Sequence, residues 1–126
     1  MTFAKRVFSV AAVYGLIVLP PQYFLEAKLG RDFPPPVTHP EHYYGFLGVA
    51  LAWQLLFLLI AKDPVRYRLA MLPAALEKFS FGVAAVVLYL QHRVPAITLA
   101  AGGIDLVFCT LFLLSFRRTG ATRHRP

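Results

Sequence analysis

Four places in this sequence set an ionisable or amide group inside a long apolar run: Tyr14, Gln54, the adjacent pair Glu77-Lys78, and Asp105. A charge inside a bilayer costs about 2.5–3.5 kcal/mol on insertion scales, so such groups pair with one another or serve a ligand or a proton. Two chemistries are open to them. In the structural one, Lys78 pairs with Asp105 or Glu77, and Gln54 bonds across to another helix and sets its register. In the functional one, the same groups line a proton-labile or ligand-binding pocket with Glu77 or Asp105 as its acid. Depth along a helix follows from a rise of about 1.5 Å per residue, measured from the nearest flanking cation: Arg6, Lys62, Arg68 or Arg117. Tyr14 and Gln54 then lie about 12 Å deep, Glu77 about 13 Å and Asp105 about 18 Å. The spacing predicts one polar layer made of Tyr14, Gln54, Glu77, Lys78 and Asp105.

A second group is made of histidines. His39 and His42 lie three residues apart with Glu41 between them, and His92 is expected on the same membrane side. Two helical histidines with a carboxylate suit zinc, copper or a haem iron. The pattern lacks the i, i+4 spacing of an HExxH site. Thr38-His39-Pro40-Glu41 also reads as a capping box, with Thr38 as N-cap and Glu41 at N3, which makes these residues the polar start of a helix. No phosphate-binding glycine loop, cysteine pair or nucleophile elbow accompanies them, and Cys109 stands alone. The balance is away from an enzyme.

The elements that must position these groups follow from composition. The 126 residues are 58% apolar and 15% charged, against about 45–50% and about 25% in soluble domains. Runs of about 20 apolar residues, the length that crosses the hydrocarbon, are predicted at 7–25, 43–61, 69–91 and 95–116. They make residues 1–126 a single integral membrane domain whose longest loop is 26–42. The fold class expected is all-α: a polytopic four-helix transmembrane bundle. Small residues four apart predict close-packing faces at Ala11/Gly15, Gly48/Ala52, Ser80/Ala84, Ala96/Ala100 and Thr98/Gly102. Asp63-Pro64 is expected to start the third helix, which then runs along the interface and bends near Pro73. The Pro34-Pro35-Pro36 triplet is expected to stiffen the outer loop.

The net charge of +7 has a topological explanation. Lys5, Arg6, Lys62, Arg66, Arg68, Arg117, Arg118, Arg123 and Arg125 fall on one side, and Lys28, Arg31 and Arg93 on the other. By the positive-inside rule both termini are expected in the cytoplasm. Cations beside anionic headgroups account for the basic character, so nucleic acid is not needed as a partner. Tyr23, Tyr43, Tyr44 and Tyr89 are expected near the outer boundary and Tyr67 near the inner one.

The layout, with Leu76-Glu77-Lys78-Phe79 in the third helix and Gly103-Ile104-Asp105-Leu106 in the fourth, resembles the small DoxX-like group of bacterial membrane proteins. The stretch from His39 to Gly48 and on through Trp53-Gln54 is similar to part of an uncharacterised bacterial four-span family. The DoxX-like resemblance implies redox chemistry or a quinone as an option and supplies no active site to carry over. The function expected is that of a non-catalytic multi-pass protein of the inner (plasma) membrane, an accessory subunit that binds a membrane-protein partner, a second copy of itself or lipid. The alternative is a redox-associated protein holding a quinone-like or other lipophilic ligand in the polar pocket, and a small oligomeric transporter comes third. The residues themselves require no cofactor, whether quinone or haem.

Overall fold

The computed structural model describes residues 2–32, 34 and 38–123, with the backbone alone over 121–123. Pro35 and Pro36 of the proline triplet and Arg125 of the cation cluster lie outside the described residues. Among the described residues the chain is all-helical and without strands: α1 Thr2–Gln22, α2 Glu26–Asp32, α3 Pro40–Lys62, α4 Met71–Leu90 and α5 Ala96–Arg123. Four of these segments are long and apolar enough to cross a membrane: Thr2–Gln22, Pro40–Lys62, Arg68–Leu90 and Ala96–Gly120. The chain is therefore a multi-pass helical membrane bundle by length and composition.

Helix ends follow local chemistry. Pro20 and Pro21 lie in the last turn of α1, where their missing N–H groups weaken the ladder, and the helix stops at Gln22. The expected capping box is corrected. His39, not Thr38, is the N-cap of α3, and it makes no side-chain cap bond. Pro40 at N1 supplies the preset backbone angle instead. The segment expected as a loop over 26–42 is not all loop. It carries α2, on which Lys28 Nζ pairs with Asp32 Oδ2 at 2.5 Å across one turn.

The connection between α3 and α4 is also corrected. Asp63 caps a turn, its Oδ1 accepting from Arg66 N at 3.2 Å, but the α-helix does not begin at Pro64. Turns over 64–67 lead into one 3-10 turn, Arg68–Ala70, before α4 starts at Met71. Pro73 then lies in the first turn of α4, where an N–H would have no partner within the helix, so the change of geometry precedes it. Arg68 fastens this connection to α5. Its Nε donates to Phe116 O at 2.9 Å, and its guanidinium stacks 3.7 Å above the Phe116 ring centroid.

The helices pack as two close pairs, α1 with α3 and α4 with α5, joined through α1 and α5. The buried face of α3 is Leu47, Ala50, Gln54, Phe57 and Ile60, a helical stripe set against Ala4, Phe8, Ala11, Gly15 and Leu19 of α1. Between α4 and α5 the close approach is made by Gly82 and Gly102. A Cβ at Gly82 would lie 3.0 Å from the Gly102 carbonyl oxygen and would overlap the Leu106 side chain. Of the expected small-residue faces, Ala11/Gly15 and the Gly102 end of Thr98/Gly102 face neighbours. Gly48/Ala52, Ser80/Ala84 and Ala96/Ala100 are exposed. Small residues fit either a helix contact or a lipid face, so spacing alone could not separate the two.

The end of the bundle holding Phe3, Arg68 and Arg118 has a buried aromatic core. Phe8 stacks on Phe112 at 4.1 Å between centroids, and Phe57 meets both edge-on at 6.0 and 5.0 Å. The opposite end is tied by Tyr43, whose hydroxyl donates to the Gln22 carbonyl at 2.5 Å, and by the Tyr23–Tyr44 ring contact. Tyr23, Tyr43 and Tyr44 thus gather at one end of the bundle. Tyr67, with Arg66 over its ring at 5.4 Å, lies in the connection at the other.

Candidate functional site

All five residues of the expected polar layer line one cavity of about 440 Å³ inside the bundle. Tyr14 comes from α1, Gln54 from α3, Glu77 and Lys78 from α4, and Asp105 from α5. The rest of the lining is largely apolar, including Val18, Leu19, Ile97 and Ala101. The cavity runs from the polar layer to the α2 end of the bundle, where Gln22, Leu25 and Leu29 border it.

Helical geometry explains the convergence. Phe46, Ala50 and Gln54 recur at i, i+4 and i+8 on one face of α3, and Glu77 and Phe81 at i, i+4 on α4. Asp105, Ala101 and Ile97 repeat the pattern on α5. Residues that the sequence reading missed, Phe46 and Phe81 above all, stand one or two turns from the residues it singled out. Periodicity counted outward from Gln54 and Glu77 would have found them.

The electrostatics centre on Lys78, which is 4% exposed. Its Nζ lies 3.4 Å from Asp105 Oδ1 and 4.0 Å from Glu77 Oε2. The rings of Phe57 and Phe108 lie 5.4 and 5.5 Å from the same nitrogen, so their faces also stabilise the cation. The pairing of Lys78 with both acids agrees with the structural reading. Gln54 departs from it. Its Nε2 donates to Ala50 O of its own helix at 2.9 Å and does not cross the bundle. The side chain lies flat against α1, where a Cβ at Gly15 would overlap it. Two acceptors in this region are buried without a hydrogen-bond partner: Gln54 Oε1 and Glu77 Oε2.

The α3 and α4 helices scarcely touch. Between them lies a second hollow of about 520 Å³, lined by Val49, Trp53, Pro73, Leu76 and Ser80. It shares Phe46, Ala50, Glu77 and Phe81 with the first. Phe46 and Phe81 stack across the cleft at 6.0 Å between centroids, and both line the two hollows.

The histidines separate into two settings. His39, Glu41 and His42 bring one ligand atom each within 4.8 Å of one another at the start of α3. His39 Nδ1 and His42 Nε2 lie 3.4 and 3.8 Å from the same Glu41 oxygen, and both histidine side chains are more than 70% exposed. His92 does not belong to that group. It holds a left-handed φ of 60° just past α4. There His92 N bonds Tyr89 O at 2.9 Å and Arg93 N bonds Leu88 O at 2.9 Å, the two bonds of a Schellman ending. Cys109 is a buried free thiol on α5.

No protein-family model matches this chain, and no curated protein or solved structure matches it.

Proposed function

We propose that this chain is a non-catalytic multi-pass membrane protein that binds a lipophilic small molecule in the cavity between its four long helices. The observation that carries this reading is the joining of three features in one place. A volume of about 440 Å³ falls in the range of ligand pockets, its walls are mainly apolar, and five polar groups from four different helices converge on it. The cleft between α3 and α4 supplies a route from the bilayer, which suits a ligand that partitions into lipid. The resemblance in layout to DoxX-like proteins, some of them associated with quinones, points the same way.

Apolar side chains on the outer faces, such as Ile17, Leu55, Leu76 and Val107, are exposed. The bilayer itself covers such faces, so they need no protein partner. The cation-rich end, with Arg68 and Arg118, faces the cytoplasm in this reading, and the membrane is the inner (plasma) membrane.

The test is gentle solubilisation followed by extraction and mass spectrometry of what the protein retains. A stoichiometric lipophilic species is expected, lost in Ala101→Trp, which fills the cavity from α5. A stoichiometric protein partner with no retained small molecule would move the function to an accessory subunit.

A further inference from the structure

Outside the cavity, at the start of α3, His39, Glu41 and His42 gather three metal-ligating side chains on one turn. The backbone of that turn is closed. His39 O accepts from His42 N at 3.0 Å and from Tyr43 N at 3.2 Å, and Pro40 presets the angle between the first two ligands. The three side chains are thus brought together by the fold, and a cation that used them would meet little ordering cost. Polar residues at a helix start ordinarily cap it. Here His39 makes no side-chain cap bond, and Glu41 Oε1 turns to the two imidazoles instead. His39 Nδ1 lies 3.4 Å from that oxygen and His42 Nε2 3.8 Å. Bonds of about 2.0–2.2 Å in tetrahedral zinc put neighbouring ligand atoms about 3.3–3.5 Å apart. The two nitrogens therefore stand near the oxygen at coordination spacing. All three side chains are exposed, so a hydrated ion reaches them from water.

We propose that His39, Glu41 and His42 form a zinc site with two imidazole nitrogens and one carboxylate oxygen on the metal and a fourth position open to water. The inference is independent of the cavity and of what the cavity holds. Imidazole nitrogens select zinc and its transition-metal neighbours over magnesium and calcium, which take oxygen ligands. Glu41 supplies the negative charge that a cation beside a helix N-terminus needs. His92, past the end of α4, is outside the cluster. A bound ion clips the N-cap of α3 to its first turn, one residue from Tyr43, whose hydroxyl donates to Gln22 O of α1. Zinc then fastens the end of the bundle that the tyrosines already tie.

The experiment uses the full chain, purified without a histidine tag, in nanodiscs of zwitterionic lipid. The sample is dialysed against zinc alone and the bound metal is counted, with empty nanodiscs as the control. Zinc is expected to saturate at one per chain and to stay bound in an excess of magnesium or calcium. Loss of an outer-shell support already weakens metal sites by about 10–100-fold, so His39→Ala, Glu41→Gln and His42→Ala are each expected to cost at least about tenfold in affinity. His92→Ala is expected to bind zinc as the wild type does. Absence of saturable zinc in the wild type would overturn the proposal. So would zinc that calcium displaces, or zinc held undiminished by any of the three ligand variants. The wild-type comparison of zinc with calcium decides the matter even if a variant does not fold.

Discussion

Lys78 of α4 holds its ammonium 3.4 Å from Asp105 Oδ1 of α5, so a buried cation ties together the two helices that approach each other most closely. The same nitrogen lies 4.0 Å from Glu77, and one charge serves two carboxylates.

Removing that cation strands both acids. Lys78→Met is expected to destabilise the protein by about 3–5 kcal/mol, the cost of breaking a buried pair from one side. Asp105→Asn keeps the shape and the Glu77 contact, and is expected to lower the melting temperature in detergent by less. The double change Lys78→Met/Asp105→Leu should recover part of the loss, because an apolar pair needs no charge compensation. Unchanged melting in both single variants would remove any structural role from the pair.

Gly15 and Gln54 should behave as one unit. A methyl at Gly15 falls on the Gln54 side chain. Gly15→Ala therefore forces the carboxamide off α1 or the helices apart, and a loss of about 1–3 kcal/mol is expected. In a Gln54→Ala background the same change should cost little. A double-mutant cycle in thermal melts measures the coupling, and simple additivity would mean that the two residues do not meet.

Glycines on this bundle divide by what surrounds them. Gly102→Ala sets a Cβ against the Ala85 Cβ and 3.3 Å from the Gly82 carbonyl oxygen, and should loosen the α4–α5 pair by about 1–3 kcal/mol. Gly103→Ala, one residue on, meets nothing within 4 Å. There the helix gains about 0.5–1 kcal/mol from the lower backbone entropy of alanine. Opposite signs for neighbouring positions in one melting series are the expected result.

His92 sits where a helix ending favours glycine, at φ 60°. His92→Gly is expected to stabilise the turn between α4 and α5 by up to about 1 kcal/mol, read as slower amide exchange at Arg93. If exchange there quickens, the imidazole holds the turn by a contact of its own.

Much of this molecule was legible in the order of its residues. Apolar runs of bilayer length mark four spans, because a chain in lipid must satisfy its backbone within each helix. Costly intramembrane groups point to Tyr14, Gln54, Glu77, Lys78 and Asp105, and all five meet at one cavity. The helix α2 was not legible, since seven residues give too short a pattern. Nor was the capping of α3, because Thr38 and His39 are both able to precede Pro40.

What only the tertiary structure decided is which helices pair. Every span carries small residues, and their spacing reads alike on a packed face and on a lipid face. Gly82 against Gly102 closes α4 onto α5, and Gly15 against Gln54 closes α1 onto α3. These pairings leave α3 and α4, neighbours in the chain, apart in space. That gap leaves Glu77 lining both hollows, and the polar residues meet at the cavity beside it. Sequence determines the residues a span contains, because hydrophobicity acts locally. Which faces meet depends on shape complementarity between distant helices, and that exists only in the packed bundle.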